Sequence, residues 1–298
     1  RPKARLAIVE AGVILSALHD AAAVHDLIFP LTFGARGSAM IGGNLSTNAG
    51  GSNVLRYGNT RDLCLGLEVV LPSGEIMDLM SELHRDNSGY NLKHLLIGAE
   101  GTLGIITAAV LKLCPEPLAY ATAMVAVPAL PDALTLLNRL QTATGGLVEA
   151  FEYMPRGYLA EYAAHFPDKR PPFETPYEVN LLVELGTTIP RDSTPQEDGT
   201  VPLMTNLEQT LADLFEQGII LDAVVAQNQT QRSEMWGRRE AAGEITMHRQ
   251  PIVNSDIAVP LDRVTEFLDQ MELVLPKLDA GAETIIVSHL GDGNVHYA

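Results

Sequence analysis

Two histidines near the end of the chain flank a turn sequence at a spacing that allows them to share one ligand. In SHLGDGNVHYA, the last eleven residues, His289 and His296 are seven residues apart. Asp-Gly is a strong hairpin signal, so we predict a two-residue turn at Asp292 and Gly293. That register places the histidines directly opposite each other, with Cβ atoms about 4.5–5.5 Å apart. Two such imidazoles can bind one metal ion; the alternative is a surface hairpin with two unremarkable histidines.

A glycine-rich stretch in the first third of the chain has the composition of a ligand-binding loop. It reads IGGNLSTNAGG, residues 41–51, with asparagine, serine and threonine between four glycines. Glycine lets the backbone approach a ligand closely and present N–H donors to anionic oxygens. The alternative is a tight loop between packed elements. Neither this stretch nor GAEGTLG, residues 98–104, matches the Rossmann or P-loop fingerprints, so we do not expect those nucleotide sites.

An arginine pair follows the lone tryptophan in QRSEMWGRREAAGEI, residues 231–245. The pattern predicts a helix in which Trp236 and Arg239 lie on one side. A guanidinium is the best bidentate partner for a substrate carboxylate, which makes Arg239 a candidate binding residue. We expect Arg238 to be a solvated surface charge and Trp236 to pack in the core.

Four motifs, taken together and in order, resemble one protein family over essentially the whole chain. They are FPLTFGARGSAMIGGNLSTNAGG, LRYGNTRDLCLGLEVVLPSGEI, DNSGYNLKHLLIGAEGTLGIITAAVLKL and HLGDGNVH. The chain resembles the FAD-linked oxidases with a vanillyl-alcohol-oxidase (PCMH) type of flavin domain. Within that family it is most similar to the D-2-hydroxyacid branch, which includes D-2-hydroxyglutarate, D-lactate and glycolate dehydrogenases.

The resemblance implies an α+β fold in two parts. Residues 1–116 are expected to be the C-terminal part of the FAD-binding domain. Residues 117–298 are expected to be a substrate (cap) domain of antiparallel sheet and helices, truncated at its C-terminus. We therefore interpret the chain as an internal fragment, with the family's first FAD-binding loop expected before Arg1.

The resemblance also implies which residues contact FAD. One segment is expected along the diphosphate and flavin, and a second around the ribityl chain and ring system. The first comprises Gly42, Gly43, Thr47, Asn48, Gly50 and Gly51, together with Gly58; the second comprises Glu100, Gly101, Gly104, Ile105 and Ile106.

For the substrate, the resemblance implies that Arg239 holds the carboxylate of a 2-hydroxyacid. His289 and His296 are then ligands of a divalent metal, most often zinc, that holds the substrate hydroxyl and carboxylate. The remaining metal ligand and the general-base histidine are expected in a Glu-His pair beyond residue 298. Asp292 and Asn294 are interpreted as turn residues rather than ligands.

Three positions depart from relatives that act on D-2-hydroxyglutarate. Those relatives carry threonine, lysine and asparagine where this chain has Gly243, Asn254 and Ala298. These departures weaken the case for a dicarboxylate substrate. The expected reaction is FAD-dependent oxidation of a D-2-hydroxyacid to a 2-oxoacid by hydride transfer to the flavin. Alternatives are an oxidase of a larger alcohol on the same fold and a non-catalytic, metal-binding remnant.

The charge and hydropathy of the chain limit the kinds of binding partner that can be expected. The net charge of −17 argues against nucleic acid and anionic lipid, both of which favour basic surfaces. No apolar run is long enough to span a membrane. We interpret Cys64 and Cys114 as reduced, buried thiols of a cytoplasmic protein. The expected partners are the 2-hydroxyacid and an electron acceptor, either a protein or a quinone; a homodimer is also expected.

The elements that must position these residues follow from hydrophobic spacing. In the first part we predict a strand at 6–11, a helix at 13–25, and a hairpin around Pro72, Ser73 and Gly74. In the second part we predict strands at 122–127, 147–153, 178–188 and 219–228, and helices at 131–143, 203–215 and 261–278. The helix at 203–215 has one apolar stripe that includes Phe215, and the helix at 261–278 has a continuous apolar face from Leu261 to Leu278.

Overall fold

A computed structural model of the protein describes residues 1–298, which form two compact units, Arg1–Glu116 and Pro117–Ala298. Each unit combines helices with a sheet in which every strand pair is antiparallel. The predicted α+β class is therefore confirmed. None of the helices is long and apolar enough to cross a membrane.

The first unit contains a four-stranded sheet of order β1-β5-β3-β4 and a two-stranded sheet of β2 and β6. Its core is formed by α1, α2 and the inner face of the larger sheet. The elements are β1 (Leu6–Glu10), α1 (Leu15–Ala23), β2 (Leu27–Ile28), α2 (Ile41–Ser46), α3 (Val54–Tyr57), β3 (Cys64–Val70), β4 (Ile76–Leu79), α4 (Lys93–Leu96), β5 (Ile105–Lys112) and β6 (Cys114–Pro115).

The glycine-rich stretch, read from the sequence as a loop, begins with helix α2. Ile41 and Leu45 are one helical turn apart and both are fully buried. Gly42 donates its N–H to the carbonyl of Ala11 at 2.8 Å, and a Cβ on Gly42 would lie 2.7 Å from the Cβ of Ala11. Tertiary packing thus outweighs the poor helix propensity of glycine at this position.

Both cysteines are free thiols. Cys64 is buried in β3, and burial raises the pKa of its thiol to about 12, so it is unreactive. Cys114 is only partly buried, in contrast to the prediction, because it lies in the short edge strand β6.

The second unit is built on a seven-stranded sheet of order β10-β7-β9-β8-β12-β13-β11. The three longest strands, β7, β9 and β8, lie side by side and are almost wholly buried. The elements are β7 (Ala119–Val127), α5 (Leu130–Thr144), β8 (Val148–Pro155), α6 (Arg156–His165), β9 (Val179–Thr187), α7 (Pro190–Ser193), α8 (Pro202–Glu216), β10 (Asp222–Val225), α9 (Gln229–Glu240), α10 (Ala242–Met247), β11 (Ser255–Ala258), α11 (Val264–Leu278), β12 (Ile286–His289) and β13 (Asn294–Tyr297).

Two predicted helical faces are only partly correct. In α8 the four leucines of the stripe are buried, but Phe215 is 57% exposed. It follows Leu214 directly and is rotated by about 100° from it around the helix. In α11 only Val264 and Leu268 are buried, and Leu278 is 78% exposed. An apolar pattern indicates which face of a helix can be buried, but in α11 other elements cover only the first turns of that face.

Helix α9 is attached to the sheet by two buried carboxylates, Glu184 on β9 and Glu152 on β8. Glu184 is opposite Ala150, and Leu182 is opposite Glu152, so both carboxylates point to the same face of the sheet. Their partners, Arg232 and Arg239, are seven residues apart on one side of α9, about 10.5 Å along its axis. The charged residues of this helix therefore fix its position above the sheet.

Candidate active site

Glu152 is the centre of a group of charged side chains in the second unit. It is 0% exposed. Its Oε2 accepts a hydrogen bond from Arg239 Nε at 2.6 Å, and its Oε1 is 2.8 Å from His289 Nδ1. Arg239 NH2 lies 3.5 Å from His289 Nε2, which closes a triangle of three side chains. The structure thus brings together Arg239 and His289, which the sequence singled out separately. They meet at Glu152, a carboxylate that the sequence did not single out.

Glu152 remains charged because of these neighbours. Burial by itself would raise the pKa of the carboxyl group, but the hydrogen bonds and electrostatic attraction of His289 and Arg239 lower it further than burial raises it. The net pKa of Glu152 lies below its ordinary value. A glutamate in the middle of a buried strand, EAFEYMP, is the sequence signal that was missed, since such a residue is rarely buried unless it is paired.

The hairpin that carries the histidines has a different register from the predicted one. His289 is opposite Asn294 and His296 is opposite Val287, so the loop has four residues, 290–293. A type I′ two-residue turn needs two residues with positive φ, and here only Gly293 has one, at 82°. The loop is held by the N–H of Asp292, which donates to the carbonyl of His289 at 3.1 Å.

The two imidazoles still meet, although they are not directly opposed. Their ring centroids are 5.0 Å apart at an interplanar angle of 79°. Asn294, the partner of His289, and His296 are two residues apart and therefore share a face of β13. The predicted proximity is therefore correct, but it arises from a diagonal pair.

Each imidazole has a carboxylate at Nδ1. For His289 it is Glu152, and for His296 it is Asp256, whose Oδ1 is 3.4 Å away. Burial, followed by the electrostatic influence of His289 and Arg239, lowers the pKa of His296 to about 4. His296 is therefore neutral near neutral pH. A carboxylate at Nδ1 favours the proton on that nitrogen and leaves Nε2 as the lone-pair donor.

The turn residues occupy the positions expected of them. The Oδ1 of Asp292 accepts a hydrogen bond from the backbone N–H of Asn294 at 3.0 Å. The Nδ2 of Asn294 donates to Asp256 at 2.6 Å, and its Oδ1 is buried without a hydrogen-bond partner. The amide orientation is fixed because a carboxylate requires the NH₂ group as its partner. An unpaired acceptor therefore lies on the strand face that also carries His296.

No group of three histidine, cysteine or carboxylate side chains in residues 1–298 is arranged to hold a metal ion. His289 and His296 are two candidate ligands, and the geometry by itself does not support zinc.

Gly293 cannot be replaced without moving the loop that holds the histidines. A Cβ at this position would lie 2.1 Å from the carbonyl oxygen of Val259. We expect Gly293→Ala to lower the free energy of unfolding by about 2–4 kcal/mol, as measured by urea denaturation. Gly157→Ala is the control, since its Cβ would meet no atom within 4 Å and should leave stability unchanged or slightly raised. Equal stabilities of the two variants would contradict this account.

The other anchor of α9 is an ion pair with a structural role, in which the carboxylate of Glu184 accepts four hydrogen bonds. Glu184 receives Nε and NH2 of Arg232, both at 2.7 Å, and the Nε1 of Trp236 at 2.8 Å. The Oγ1 of Thr122 donates to the same carboxylate at 2.5 Å. Trp236 packs against the core of this unit and donates to Glu184 rather than to the histidine group.

Arg238 is buried rather than solvated as predicted, with 6% of its surface exposed. Its NH2 donates to the carbonyl of Arg170 at 2.8 Å, and its Nε is buried without a partner. Burial lowers the pKa of its guanidinium. The prediction failed because Arg238 has neighbours from other elements: Tyr158 of α6 donates to its backbone carbonyl, and Tyr162 of α6 is close enough to interact with its charge. A helical pattern alone does not show such neighbours.

In the first unit the two predicted FAD-binding segments lie next to each other. The N–H groups of Gly98 and Glu100 donate to the carbonyls of Leu45 and Ser46 at the end of α2, at 3.0 and 2.9 Å. The side chain of Asn48 accepts from the backbone N–H of Arg61 at 3.0 Å and so stabilises the loop itself. Similarly, Thr47 Oγ1 donates to the carbonyl of Gly43 at 3.1 Å. Ile106 is part of the core, whereas Ile105 is 62% exposed.

The predicted cofactor glycines differ in how much space a Cβ added at each position would have. In one group, a Cβ would lie less than 3 Å from another atom of the protein, so internal packing explains the glycine; this group is Gly42, Gly51, Gly58 and Gly104. At Gly43 a Cβ would meet nothing within 4 Å, and at Gly101 it would meet only the end of the Ile105 side chain, at 3.8 Å, although the φ of 78° at Gly101 also favours glycine. Gly50 is intermediate, with Val54 at 3.1 Å. Gly43 and Gly101 thus border open space.

Comparison with known families agrees with this architecture. Residues 1–80 match the family model described as "FAD binding domain", and residues 116–298 match "FAD linked oxidases, C-terminal domain". The chain belongs to the FAD-linked oxidases. Among solved structures, the chain is similar to an alkyldihydroxyacetonephosphate synthase, with a TM-score of 0.68 at 16% identity over 100% of this chain and 58% of that one. At this identity the likeness shows the fold alone.

Curated relatives share about a third of the residues of this chain. A D-2-hydroxyglutarate dehydrogenase of Xanthomonas citri pv. viticola is 33% identical over 98% of this chain and 58% of its own length. The mitochondrial D-2-hydroxyglutarate dehydrogenase of Rattus norvegicus is 32% identical over 97% of this chain and 51% of its own length. The chain thus spans about half the length of the curated relatives it matches.

Proposed function

We propose that this protein is a FAD-dependent dehydrogenase that oxidises a D-2-hydroxyacid to the corresponding 2-oxoacid. The observation that carries the proposal is the triangle of Glu152, Arg239 and His289, with His296 beside it, in a domain of the FAD-linked oxidase family. The names of the curated relatives support the same class of reaction.

Arg239 is the residue that recognises the substrate carboxylate. Its Nε is occupied by Glu152 and one N–H of NH2 faces His289, so NH1 and the second N–H of NH2 remain for a bidentate contact. The chain as a whole is strongly acidic, with a net charge of −17, and would repel an anionic substrate. A local cation held at a fixed position is therefore needed to bind it.

His289 and His296 are the residues that would hold a divalent metal; at His289 the ion would replace the 3.5 Å contact between Nε2 and Arg239 NH2. Two features fit such an ion: both imidazoles have a carboxylate at Nδ1, and the buried Oδ1 of Asn294 lacks a partner on the same face of β13. A bound divalent ion would act as a Lewis acid and lower the pKa of a substrate hydroxyl. Zinc is one candidate, since neutral imidazoles are among its common ligands.

The first unit has a surface that fits FAD. Gly43 and Gly101 leave open space where any other residue would place a Cβ, and Leu103 and Ile105 expose apolar side chains near Gly101. When bound, FAD supplies the acceptor for the hydride from C2 of the substrate. The residues of this unit bind the cofactor and cover its apolar parts from water.

A pair of glycine substitutions separates cofactor contact from folding. We expect Gly43→Ala to fold normally and to weaken FAD binding about 10-fold or more, which corresponds to about 1.4 kcal/mol. Gly51→Ala should destabilise the protein instead, because its Cβ would lie 2.1 Å from the carbonyl oxygen of Thr32. Flavin fluorescence titration and urea denaturation measure the two effects. Unchanged FAD affinity in Gly43→Ala would remove this residue from the proposed cofactor site.

A substrate panel tests the proposed function. D-2-hydroxyglutarate, D-lactate and glycolate are offered to the full-length protein with an artificial dye as electron acceptor, and the L enantiomers of the chiral acids serve as controls. We expect dye reduction with D but not L acids. Because Gly243 and Asn254 are exposed and replace the polar groups expected for a dicarboxylate, monocarboxylates belong in the first round. Peroxide release without dye reduction would favour an oxidase, and metal binding without flavin would favour a non-catalytic remnant.

A protein or quinone electron acceptor, a homodimer and a cytoplasmic location remain predictions from the sequence.

A further inference from the structure

We propose that Glu152 is a positioning residue that sets both the orientation of Arg239 and the tautomer of His289. The inference rests on the proposed function for the roles of these two residues in substrate and metal binding. Its structural part, that Glu152 places the ring proton of His289 on Nδ1, stands on the contacts of the three side chains alone.

Glu152 defines the tautomer of His289, and the weaker contact with Arg239 agrees with it. An ionised carboxylate only accepts hydrogen bonds, so the Nδ1 that lies 2.8 Å from Glu152 Oε1 must carry a proton. A guanidinium only donates, so the Nε2 that lies 3.5 Å from Arg239 NH2 must present its lone pair. Both contacts therefore assign the proton to Nδ1 and the lone pair to Nε2, where it faces Arg239.

The position of Glu152 allows it to organise two elements together. It lies on β8, next to His289 of β12 in the sheet, and beneath Arg239 of α9. With no exposed surface, its carboxylate has little freedom, and each oxygen is assigned to one partner. A group on the central part of the sheet thereby fixes the distance between a helix and a hairpin.

Glu184 provides an internal comparison. It is also a buried glutamate on the same sheet face, and it also pairs with an arginine of α9. Its donors are Arg232, Trp236 and Thr122, and no imidazole is among them. The same substitution at the two glutamates therefore separates attachment of α9 from control of His289.

Glutamine at position 152 would keep the shape and reverse one hydrogen bond. Its carbonyl oxygen would be required by the Arg239 Nε–H, so its NH₂ group would face His289 Nδ1. Two donors cannot face each other at this distance. The contact of Nε2 with Arg239 NH2, at 3.5 Å, is longer and weaker than the 2.8 Å contact at Nδ1, so the imidazole would move its proton to Nε2. That change would block the nitrogen proposed as the metal ligand without removing the imidazole.

Nitrogen NMR on the full-length protein tests this directly. Protein labelled with ¹⁵N-histidine is measured at about pH 8.5, above the ordinary pKa of imidazole, and the His289 signal is assigned by its loss in His289→Gln. We expect the Nδ1–H tautomer in the wild type and in Glu184→Gln, and the Nε2–H tautomer in Glu152→Gln. An Nε2–H signal in the wild type overturns the proposal, and this outcome is decisive even if Glu152→Gln does not fold. Retention of Nδ1–H in a folded Glu152→Gln also overturns it.

Zinc affinity provides a second readout, measured by competition with a chromophoric chelator and without substrate. We expect Glu152→Gln to weaken Zn²⁺ binding by about 10–100-fold and Glu184→Gln to leave it unchanged. Equal Zn²⁺ affinity in Glu152→Gln and the wild type contradicts the positioning role. If the wild type shows the Nδ1–H tautomer but oxidises no hydroxyacid, the positioning role holds and the proposed function fails, so the two failures are distinguishable.

Discussion

Replacing Arg239 by lysine should lower kcat/KM for the D-2-hydroxyacid by about 100-fold or more, while the protein remains folded. Lysine keeps a positive charge next to the buried Glu152, so the carboxylate is not left unpaired. It loses the planar fork of the guanidinium, which can bind Glu152 through Nε and a substrate carboxylate through NH1 and NH2 simultaneously. Steady-state dye reduction at several substrate concentrations gives the change.

The neighbouring arginine provides the matched control. Arg238 is also buried, but its side chain donates to one backbone carbonyl and has an unpaired Nε. We expect Arg238→Met to leave kcat/KM unchanged and stability unchanged or raised, because burying a cation without a carboxylate is unfavourable. If Arg238→Met reduced kcat/KM as strongly as Arg239→Lys, the proposal that Arg239 binds the substrate carboxylate would be wrong.

The second large effect is expected at the histidine pair. His289→Ala and His296→Ala should each weaken Zn²⁺ binding by more than about 100-fold, since losing a direct ligand costs more than the roughly 10–100-fold of losing a supporting partner. Each variant should lose hydroxyacid oxidation in parallel. Elemental analysis after dialysis against trace metal, together with dye reduction, measures both effects.

A histidine outside the pair controls for general effects of the substitution. His84 is exposed in the first unit, and His84→Ala should retain both metal and activity. Metal content that is the same in all three variants would exclude His289 and His296 as ligands, whatever the activities.

The sequence was sufficient for the architecture because hydrophobic spacing reflects burial directly. The four leucines of α8 and the apolar strands β7, β8 and β9 are buried as their patterns predict. The extent of the buried helix faces was overestimated where the apolar pattern continues beyond the element that packs against it, as at Phe215 and the end of α11. A side-chain pattern shows what can be buried; the neighbouring elements decide what is buried.

The candidate site was predicted only in part, for a related reason. His289, His296 and Arg239 are recognisable because their types and spacing suggest chemistry. Glu152 lies 87 positions from Arg239 and 137 from His289 along the chain, and only the sheet brings them together. A glutamate within a buried strand signals that a partner exists, without identifying it.

The hairpin shows why the register could not be read from Asp-Gly alone. The predicted turn satisfies local propensity, but the actual loop also has to fit against Val259 and Phe151, whose carbonyls contact Gly293 and Gly291. Packing against other strands thus selected the longer loop. The histidines are nevertheless close together, because a shift of two residues in register keeps both side chains on the same face.

The most direct test of the proposed function is anaerobic mixing of the flavin-loaded, full-length protein with D-2-hydroxyglutarate or D-lactate, followed by the visible absorbance of the flavin. We expect rapid loss of the oxidised flavin spectrum with at least one D acid, no loss with its L enantiomer, and much slower loss in Arg239→Lys. A flavin that remains oxidised with every D-2-hydroxyacid, in protein that retains FAD and metal, would contradict it.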